Sequence, residues 1–314
     1  RTEESIVRDH FIQRLTSLVQ RDPNILLITG DLGFAVFDDF RKDYPDNFIN
    51  VGVAEQEMIG LATGLALEGK TTFTYSIANF ATLRCLEQIR NDAAYHGANV
   101  NIVCIGGGFS YGSLGISHHA TEDLTILRSI PDITVVAPCG YWETMEATEA
   151  LAKIKGTCYL RLDKSAGADK PDNNNEIFQI GKARKIREGS DCTIIVTGGI
   201  LEEVLLAYET LTSEGISTRI LNMHTIKPID ESAIMTACAE TGAIITVEEH
   251  TVYGGLGGSV AEVLMYGNTV PKKFLCIGLE AGFSSIIGSQ AYLRQHYRLD
   301  ASSITDRVRS LLKG

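Results

Sequence analysis

The sequence of 314 residues predicts an α/β protein, in which a doubly wound domain is followed by a smaller α/β domain. Two observations lead to this prediction. Short apolar runs of strand length alternate with stretches of helical periodicity, and the first run, Ile25–Thr29, is nearly continuous, as in a parallel strand covered on both faces. The alternation is interrupted at 166–175 by a run composed mostly of Gly, Ala, Asp, Lys, Pro and Asn.

The helices and strands follow in order along each domain. A helix comes first, because apolar residues recur at helical spacing from Ile6 to Leu18 and Pro23 prevents its continuation. The predicted strands lie at 25–29, 48–51, 71–75, 101–105, 134–136 and 158–162 in the first domain, and at 192–197, 218–221, 243–247 and 273–277 in the second, where a helix covers 201–211. The predicted domains are 1–165 and 189–314, joined by a linker over 166–188.

Composition and charge exclude several classes of function. A hydrophobic content of 44% indicates a globular protein, and a formal net charge of −11 disfavours nucleic acid as a partner. The longest apolar runs have strand length, far short of the roughly 20 residues of a membrane helix, so we expect no membrane association. The seven cysteines show no C-x-x-C spacing, so we expect reduced thiols and a cytoplasmic protein.

Several candidate site residues follow the carboxyl ends of predicted strands in the first domain. Ligands of open α/β sheets bind in crevices beyond those ends, so these residues are expected to face one site. They are Asp31, Glu55, Phe80, Arg84 and the stretch 106–119.

Glu55 is the most informative of these residues. It lies in the run 52–60, with sequence GVAEQEMIG, at a strand-to-helix junction where small neighbours leave room for a flat heterocycle. A glutamate in the first turn of a helix is also favoured by the helix dipole, so a capping residue on the surface is the alternative interpretation.

The run 52–60 resembles the G-[IV]-[RA]-E-[HQ]-x-M-x-[GA] segment of transketolases and of 1-deoxyxylulose-5-phosphate synthases, which use thiamine diphosphate. The resemblance implies that the Glu55 carboxyl hydrogen-bonds the ring nitrogen N1′ of the cofactor's aminopyrimidine and thereby activates the cofactor. It identifies the first domain as a thiamine diphosphate-binding pyrimidine domain. Glu55 is therefore expected to be both catalytic and cofactor-binding.

Three further residues are implied to bind the cofactor. The stretch 75–84 resembles the synthase pattern Y-S-x-F-x-x-R, with a few residues of difference in the loop, and Asn79-Phe80 matches the N-F pair of transketolases. The resemblance implies that Phe80 stacks on the pyrimidine and that Arg84 lines the pocket, and Asp31 is expected to approach the cofactor. A core position for Phe80 is the alternative.

A candidate catalytic histidine lies further along the chain. The sequence GISH at 115–118 resembles the D-G-[PA]-T-H segment of transketolases and the D-G-Q-T-H segment of the synthases. The resemblance implies that His118 faces the reacting carbons and exchanges protons with a substrate hydroxyl, with His119 as a neighbour. A histidine that only makes structural hydrogen bonds is the alternative.

The residues expected to bind substrate are His118, Arg161 and Leu114. Arg161 matches the phosphate-binding arginine in the L-S-R-Q segment of the family, so it is expected to bind an anionic substrate end. Two positions depart from the transketolase pattern. Leu114 replaces an aspartate that contacts a sugar hydroxyl, and the stretch that begins at Gly106 replaces a histidine that contacts phosphate.

The segment that holds diphosphate and metal in this family is missing. The sequence TGDLG at 29–33 has Leu between Asp and Gly, unlike the family's G-D-G. Mg²⁺ and diphosphate are therefore expected on an N-terminal partner subunit that carries G-D-G, with no metal ligands from this chain. The stretches 221–230 and 247–258 resemble the transketolase C-terminal domain, which is expected to serve assembly, here into a heterotetramer.

The resemblance implies a subunit of a split transketolase, which transfers a two-carbon ketol unit from a ketose to an aldose. The departures at Gly106 and Leu114 favour a non-standard ketose, such as a sulfonated sugar. A 1-deoxyxylulose-5-phosphate synthase-like enzyme and the beta subunit of a 2-oxoacid dehydrogenase are alternatives with the same fold. A noncatalytic scaffold paralogue is an alternative of another class.

Overall fold

The computed structural model describes residues 7–33, 36–164, 176–280 and 282–313. These residues form two α/β domains, each built on a mostly parallel sheet with helices on both faces, which confirms the predicted fold class. All seven cysteines are free, and most of them are buried. None of the helices in the described ranges combines the length and the apolar character that crossing a lipid bilayer requires.

The strands of the first domain match those predicted from the sequence closely. They are β1 (Ile25–Thr29), β2 (Phe48–Asn50), β3 (Thr71–Ile77), β4 (Val100–Ile105), β5 (Ile133–Val136) and β6 (Thr157–Leu162). The α-helices are α1 (Val7–Arg21), α2 (Asp38–Asp43), α3 (Glu55–Leu67), α4 (Ala78–Thr82), α5 (Asp123–Ser129) and α6 (Tyr141–Leu151). A π-helical segment covers Gln88–Ala94, and short 3-10 turns cover Pro45–Asn47 and Gly112–Leu114.

The second domain contains every strand predicted for it and two that were not predicted. Its strands are β7 (Arg184–Arg187), β8 (Cys192–Thr197), β9 (Thr218–Asn222), β10 (Thr225–Lys227), β11 (Ile244–Thr251) and β12 (Phe274–Leu279). Its helices are α7 (Leu201–Ser213), α8 (Glu231–Glu240), α9 (Leu256–Tyr266), α10 (Gln290–His296) and α11 (Ala301–Lys313), with a 3-10 turn at Gly198–Ile200.

The larger sheet has the strand order β10-β5-β6-β4-β3-β1-β2, and the smaller sheet has the order β12-β11-β8-β9-β7. The neighbouring strands are parallel, except that β10 is antiparallel to β5 and β7 is antiparallel to β9. β10 follows β9 in the chain, yet it extends the sheet of the first domain, with Thr225 opposite Val136. β7 lies within the predicted linker 166–188, of which 166–175 lie outside the described residues.

The first helix illustrates how apolar spacing produces the packing. Phe11, Leu15 and Leu18 lie on one face of α1 and are buried in the apolar cluster on one side of the larger sheet. Each such side chain stabilises the fold by about 1.5–3 kcal/mol. The Phe11 ring stacks on Tyr75 of β3 with ring centroids 6.1 Å apart. The helix ends at Arg21, just before Pro23, as predicted.

The larger sheet has a topological switch point at β1. β2 lies on one side of β1, whereas β3 and then β4 lie on the other side. Connections that leave neighbouring strands toward opposite sides open a crevice beyond the carboxyl ends of those strands. The chain segments that begin α3 at Glu55 and α4 at Ala78 both start at this edge.

A buried ion pair lies where the two domains meet. Arg161 of β6 donates from Nε to Asp123 Oδ2 at 2.9 Å, and the Tyr159 hydroxyl donates to the same oxygen at 2.6 Å. Nη2 of Arg161 donates to the carbonyl oxygen of Glu249 in β11 at 3.1 Å. Burial raises the pKa of Tyr159 well above its usual value, so this phenol remains a hydrogen-bond donor.

Replacing Arg161 by Met is expected to lower the free energy of unfolding by about 3–5 kcal/mol, because Asp123 would remain as a buried charge without its partner. Urea unfolding followed by circular dichroism measures the loss. Lys153→Met is the matched control, since it removes an exposed lysine from Glu149, which keeps Arg14 and Arg21 as partners, and should cost less than about 1 kcal/mol. Equal losses in the two variants would contradict the role of burial.

Candidate active site

Glu55 is the first residue of α3 and is only 3% exposed. The preceding turn requires Gly52 at a φ of +74°, a conformation that glycine adopts without steric cost. Asn50 holds this turn against the end of β1, because its Oδ1 accepts from the backbone N–H groups of Gly52 at 3.0 Å and Asp31 at 2.9 Å. The Glu55 carboxylate therefore has a fixed position at a helix N-terminus, where the dipole favours negative charge.

Arg84 is the cation that pairs with this buried carboxylate. Its Nη1 donates to Glu55 Oε2 at 2.6 Å, although the Arg84 side chain is 47% exposed. The guanidinium also lies over the Phe80 ring, with Cζ 4.8 Å from the ring centroid. A half-exposed arginine can leave the carboxylate when a ligand with its own N–H or ring nitrogen arrives.

Phe80 connects this pair to His118. The two rings meet edge to face, with centroids 5.1 Å apart. Asn79, next to Phe80 in α4, donates from Nδ2 to the carbonyl oxygens of His119 at 2.6 Å and Ile116 at 3.2 Å. The helix that carries Phe80 and the loop that carries His118 are therefore hydrogen-bonded to each other.

The two adjacent histidines have different environments. Burial is the main cause, and the neighbouring His119 a second cause, of a lowered pKa for His118, so its imidazole is neutral at pH 7. Its Nδ1 lies 2.9 Å from Ser117 Oγ. His119 is fully buried: its Nε2 lies 3.1 Å from the Gly112 carbonyl oxygen, and its Nδ1 lies 2.8 Å from Ser284 Oγ and 3.1 Å from the Ser284 carbonyl oxygen. His119 therefore has the contacts of a structural histidine.

Two other predicted site residues lie at the rim of this group. Asp31 has a left-handed backbone conformation directly after β1, and its carboxylate accepts from Asn50 Nδ2 at 3.3 Å. Leu114 ends the 3-10 turn before His118, and its side chain is exposed. The structure thus brings Glu55, Arg84, Phe80 and His118 into one chain of contacts, with Asp31 and Leu114 beside it.

Arg161 does not reach this rim. Its side chain is buried beneath the loop 106–120, where Nη2 donates to the Ala120 carbonyl at 2.8 Å in addition to its bonds with Asp123 and Glu249. The guanidinium N–H groups of Arg161 therefore bond to atoms of the protein interior, and the strand β6 that carries Arg161 is buried along its length. The geometry gives the predicted binding of a substrate anion by Arg161 no support.

Lys164 is a cation at the rim that was not predicted from the sequence. It is exposed beyond the carboxyl end of β6, and its Nζ lies 4.0 Å from the centroid of the Tyr111 ring. The Tyr111 ring is in turn 6.2 Å from the His118 ring. The rule that ligands bind beyond strand ends could have identified Lys164, since it follows β6 as Glu55 follows β2.

The arrangement has a definite chemical capacity. A buried carboxylate, an aromatic face and a neutral imidazole on one edge can hold a flat nitrogen heterocycle and move protons beside it. Within the ranges that the structure describes, no three His, Cys, Asp or Glu side chains are grouped so that they could hold a metal ion.

Comparison with known proteins gives the family. The model of the transketolase pyrimidine-binding domain matches residues 5–169, and that of the transketolase C-terminal domain matches residues 181–304. The putative transketolase C-terminal section of Methanocaldococcus jannaschii is 40% identical, over 98% of this chain and 96% of that protein.

Two relatives have more specific names, and one solved structure is similar throughout. A subunit of the apulose-4-phosphate transketolase of Phocaeicola vulgatus is 36% identical, over 98% of this chain and 97% of its own. The 6-deoxy-6-sulfo-D-fructose transketolase subunit of a Clostridium species is 37% identical, over 96% and 93%. A split gene transketolase, solved as an inactive beta4 tetramer, is 33% identical with a TM-score of 0.87 over 98% of both chains. The chain therefore belongs to the transketolase family.

Proposed function

We propose that this chain is the pyrimidine-side subunit of a two-chain transketolase that transfers a two-carbon ketol unit from a ketose to an aldose. The observation that carries the proposal is the buried carboxylate of Glu55 at the start of α3, in contact with Arg84 and linked through Phe80 to His118. The transketolase family generally uses thiamine diphosphate and a divalent metal. Glu55 and Phe80 fit the aminopyrimidine of that cofactor, one as a partner for a ring nitrogen and the other as an aromatic face.

Each residue has a distinct part in the proposed reaction. When bound, thiamine diphosphate supplies the electron sink that lets a carbon–carbon bond next to a carbonyl break. Glu55 shares a proton with the pyrimidine nitrogen, and Arg84 stabilises the carboxylate while the cofactor is absent. His118, neutral at pH 7, accepts a proton from a substrate hydroxyl and returns it to the product.

The proposed partner subunit supplies the ligands of the diphosphate and the metal. An apolar rim supports the proposal of a two-chain site, because large apolar side chains are exposed immediately beside the site residues. This rim consists of Val53, Leu83, Leu114 and Ile116 in the first domain and Phe283 and Ile287 in the second. We propose a heterotetramer with a G-D-G subunit, and the similar split gene transketolase, named as an inactive beta4 tetramer, supports the need for a second kind of subunit.

The proposed substrate is an anionic ketose. Lys164 supports this choice, since it is a cation at the rim near His118. One relative is named for a phosphorylated sugar and another for a sulfonated sugar, so both anions fit the family. The second candidate is therefore a transketolase for a sulfonated or otherwise non-standard ketose, favoured by Gly106 and Leu114, which depart from the transketolase pattern.

The first test is reconstitution. Mixing the chain with a partner that carries G-D-G, Mg²⁺ and thiamine diphosphate should give ketol transfer, and Glu55→Ala should lower kcat by about 100-fold or more, since it removes the proposed proton partner. Glu57→Ala is the control, because Glu57 lies exposed in the same helical turn. Full activity of Glu55→Ala would refute the mechanism. A pair that binds no thiamine diphosphate would instead favour the scaffold paralogue.

The second test is the pH profile. His118 has a lowered pKa, so its proton-accepting form is complete at pH 7, and kcat should fall only below the usual imidazole value of about 6.5. His118→Gln should lower kcat by roughly 100-fold and remove this fall of kcat at low pH, the acid limb of the profile. His96→Gln, at an exposed histidine, should keep the limb. An unchanged acid limb in His118→Gln would assign it to another group.

The third test identifies the substrate. In a panel of ketoses, xylulose 5-phosphate should not be the best donor, because the family's phosphate-contacting histidine and sugar-contacting aspartate are replaced at Gly106 and Leu114. Lys164→Gln should raise KM about tenfold for phosphorylated or sulfonated donors, equivalent to about 1.4 kcal/mol, and leave an uncharged ketose unaffected. Lys153→Gln is the control on the exposed surface. Pyruvate as the best donor would favour the synthase-like alternative.

A further inference from the structure

We infer that Glu249, in the second domain, is a positioning residue for His118. Its buried carboxylate and its backbone carbonyl fix the two ends of the loop 106–120, which carries the imidazole. The inference rests on the proposed function, and it gives the second domain a part in the reaction that was not predicted from the sequence.

The Glu249 carboxylate holds the beginning of the loop. Its Oε1 accepts from the backbone N–H of Phe109 at 2.5 Å, a bond between residues 140 positions apart, and from Gln290 Nε2 at 2.8 Å. Its Oε2 accepts from Arg294 Nε at 2.5 Å. The side chains of Glu249 and Arg294 are almost completely buried, so these bonds are not weakened by water.

The end of the loop is tied to the same residue through Arg161. Nη2 of Arg161 donates both to the Glu249 carbonyl at 3.1 Å and to the Ala120 carbonyl at 2.8 Å. Ala120 also exchanges backbone hydrogen bonds with Gly108, at 2.8 and 3.1 Å. Since His118 precedes Ala120 by two residues, both ends of the loop that presents the imidazole are fixed by Glu249 and its partners.

The glycines of the loop are those that this arrangement requires. A Cβ atom at Gly108, which has a φ of +60°, would lie 2.3 Å from Glu249 Oε1. A Cβ atom at Gly107 would lie 2.8 Å from Arg161 Nε. Both distances are shorter than van der Waals contact permits, so the sequence keeps glycine where the two charged side chains approach the backbone.

The second domain also supports the middle of the loop. Ser284 Oγ is hydrogen-bonded to His119 Nδ1 at 2.8 Å, and the N–H of Gly288 donates to the Gly112 carbonyl at 3.2 Å. The Phe109 ring stacks on Tyr297, with centroids 5.3 Å apart. A displacement of about 1 Å at a catalytic group can lower the rate roughly 100-fold, so contacts that hold the loop in place should affect kcat.

The test is Glu249→Gln in the reconstituted complex. Gln has a single acceptor oxygen, which the charged Arg294 guanidinium attracts, so its NH2 group turns toward the N–H of Phe109 and the loop loses its anchor. kcat per bound thiamine diphosphate should fall roughly 10- to 100-fold, while the affinity for thiamine diphosphate, whose proposed contacts Glu55 and Phe80 lie on other elements, should stay within about twofold. Normalisation to bound cofactor removes any effect of a smaller folded fraction.

The pH profile gives a readout that a purely structural role would not move. Burial lowers the pKa of His118, so a loosened loop should shift the acid limb of kcat upward, toward the usual value. The titratable groups that face His118 are His119 on its own loop and Tyr111, with Arg84 beyond the Phe80 ring and Lys164 beyond the Tyr111 ring. Glu249→Gln alters none of these groups directly.

Two further variants complete the test. Glu262→Gln is the control, because it disrupts a carboxylate–arginine pair between half-exposed Glu262 of α9 and Arg128 of α5, and it should leave kcat unchanged. Ser284→Ala should lower kcat about threefold to tenfold and shift the acid limb in the same direction, since it removes one hydrogen bond to the loop. It decides the question if Glu249→Gln does not fold.

The outcomes separate this inference from the proposed function. Ketol transfer by the wild-type pair together with wild-type kcat and acid limb in Glu249→Gln would overturn the positioning role alone. The same result for Ser284→Ala would overturn it if Glu249→Gln does not fold. Absence of ketol transfer by the wild-type pair would overturn the proposed function, and with it the positioning role.

Discussion

The guanidinium of Arg161 is the contact on which the site and the domain arrangement both depend. It joins Asp123 at the start of α5, Ala120 at the end of the loop 106–120, and Glu249 in the second domain. A buried charge is tolerated only when its partners keep their geometry, because its desolvation costs several kcal/mol. One strand residue therefore fixes a helix, a loop and a neighbouring domain relative to the larger sheet.

Most of the fold followed from apolar periodicity, and the exceptions have a common cause. β7 and β10 were not predicted because each includes Lys or Arg and lacks the apolar run that marks equally short strands such as β5. Their pairing partners are remote: β10 joins the sheet of the other domain, so no local pattern could indicate it. Buried strands such as β1 can be recognised from their own apolar sequence. Antiparallel edge strands such as β7 and β10 form only because the tertiary fold places a partner strand beside them.

The site residues also differ in whether a local sequence signal could locate them. Glu55 and Phe80 could be located from the sequence, because strand ends and helix starts have local signals and the crevice rule brings them together. Arg161 was expected at the substrate from its match to the L-S-R-Q segment, but a strand buried on both faces has no local signal for the direction of a side chain, and Arg161 is found in the interior. The bond from Glu249 to Phe109 spans 140 residues and could be seen only in the folded chain.

One aromatic ring connects Gly106, the first residue of the stretch that departs from the transketolase pattern, with the cation at the rim. A Cβ atom at Gly106 would lie 2.4 Å from the Tyr111 ring, so Tyr111 occupies the space that a side chain at position 106 would need. Lys164 contacts the same ring, with its Nζ 4.0 Å from the ring centroid. A side chain at position 106 would displace Tyr111 and with it the support of Lys164. The glycine at position 106 and the placement of the Lys164 cation are thus linked through one packed ring, so a change at either position is felt at the other.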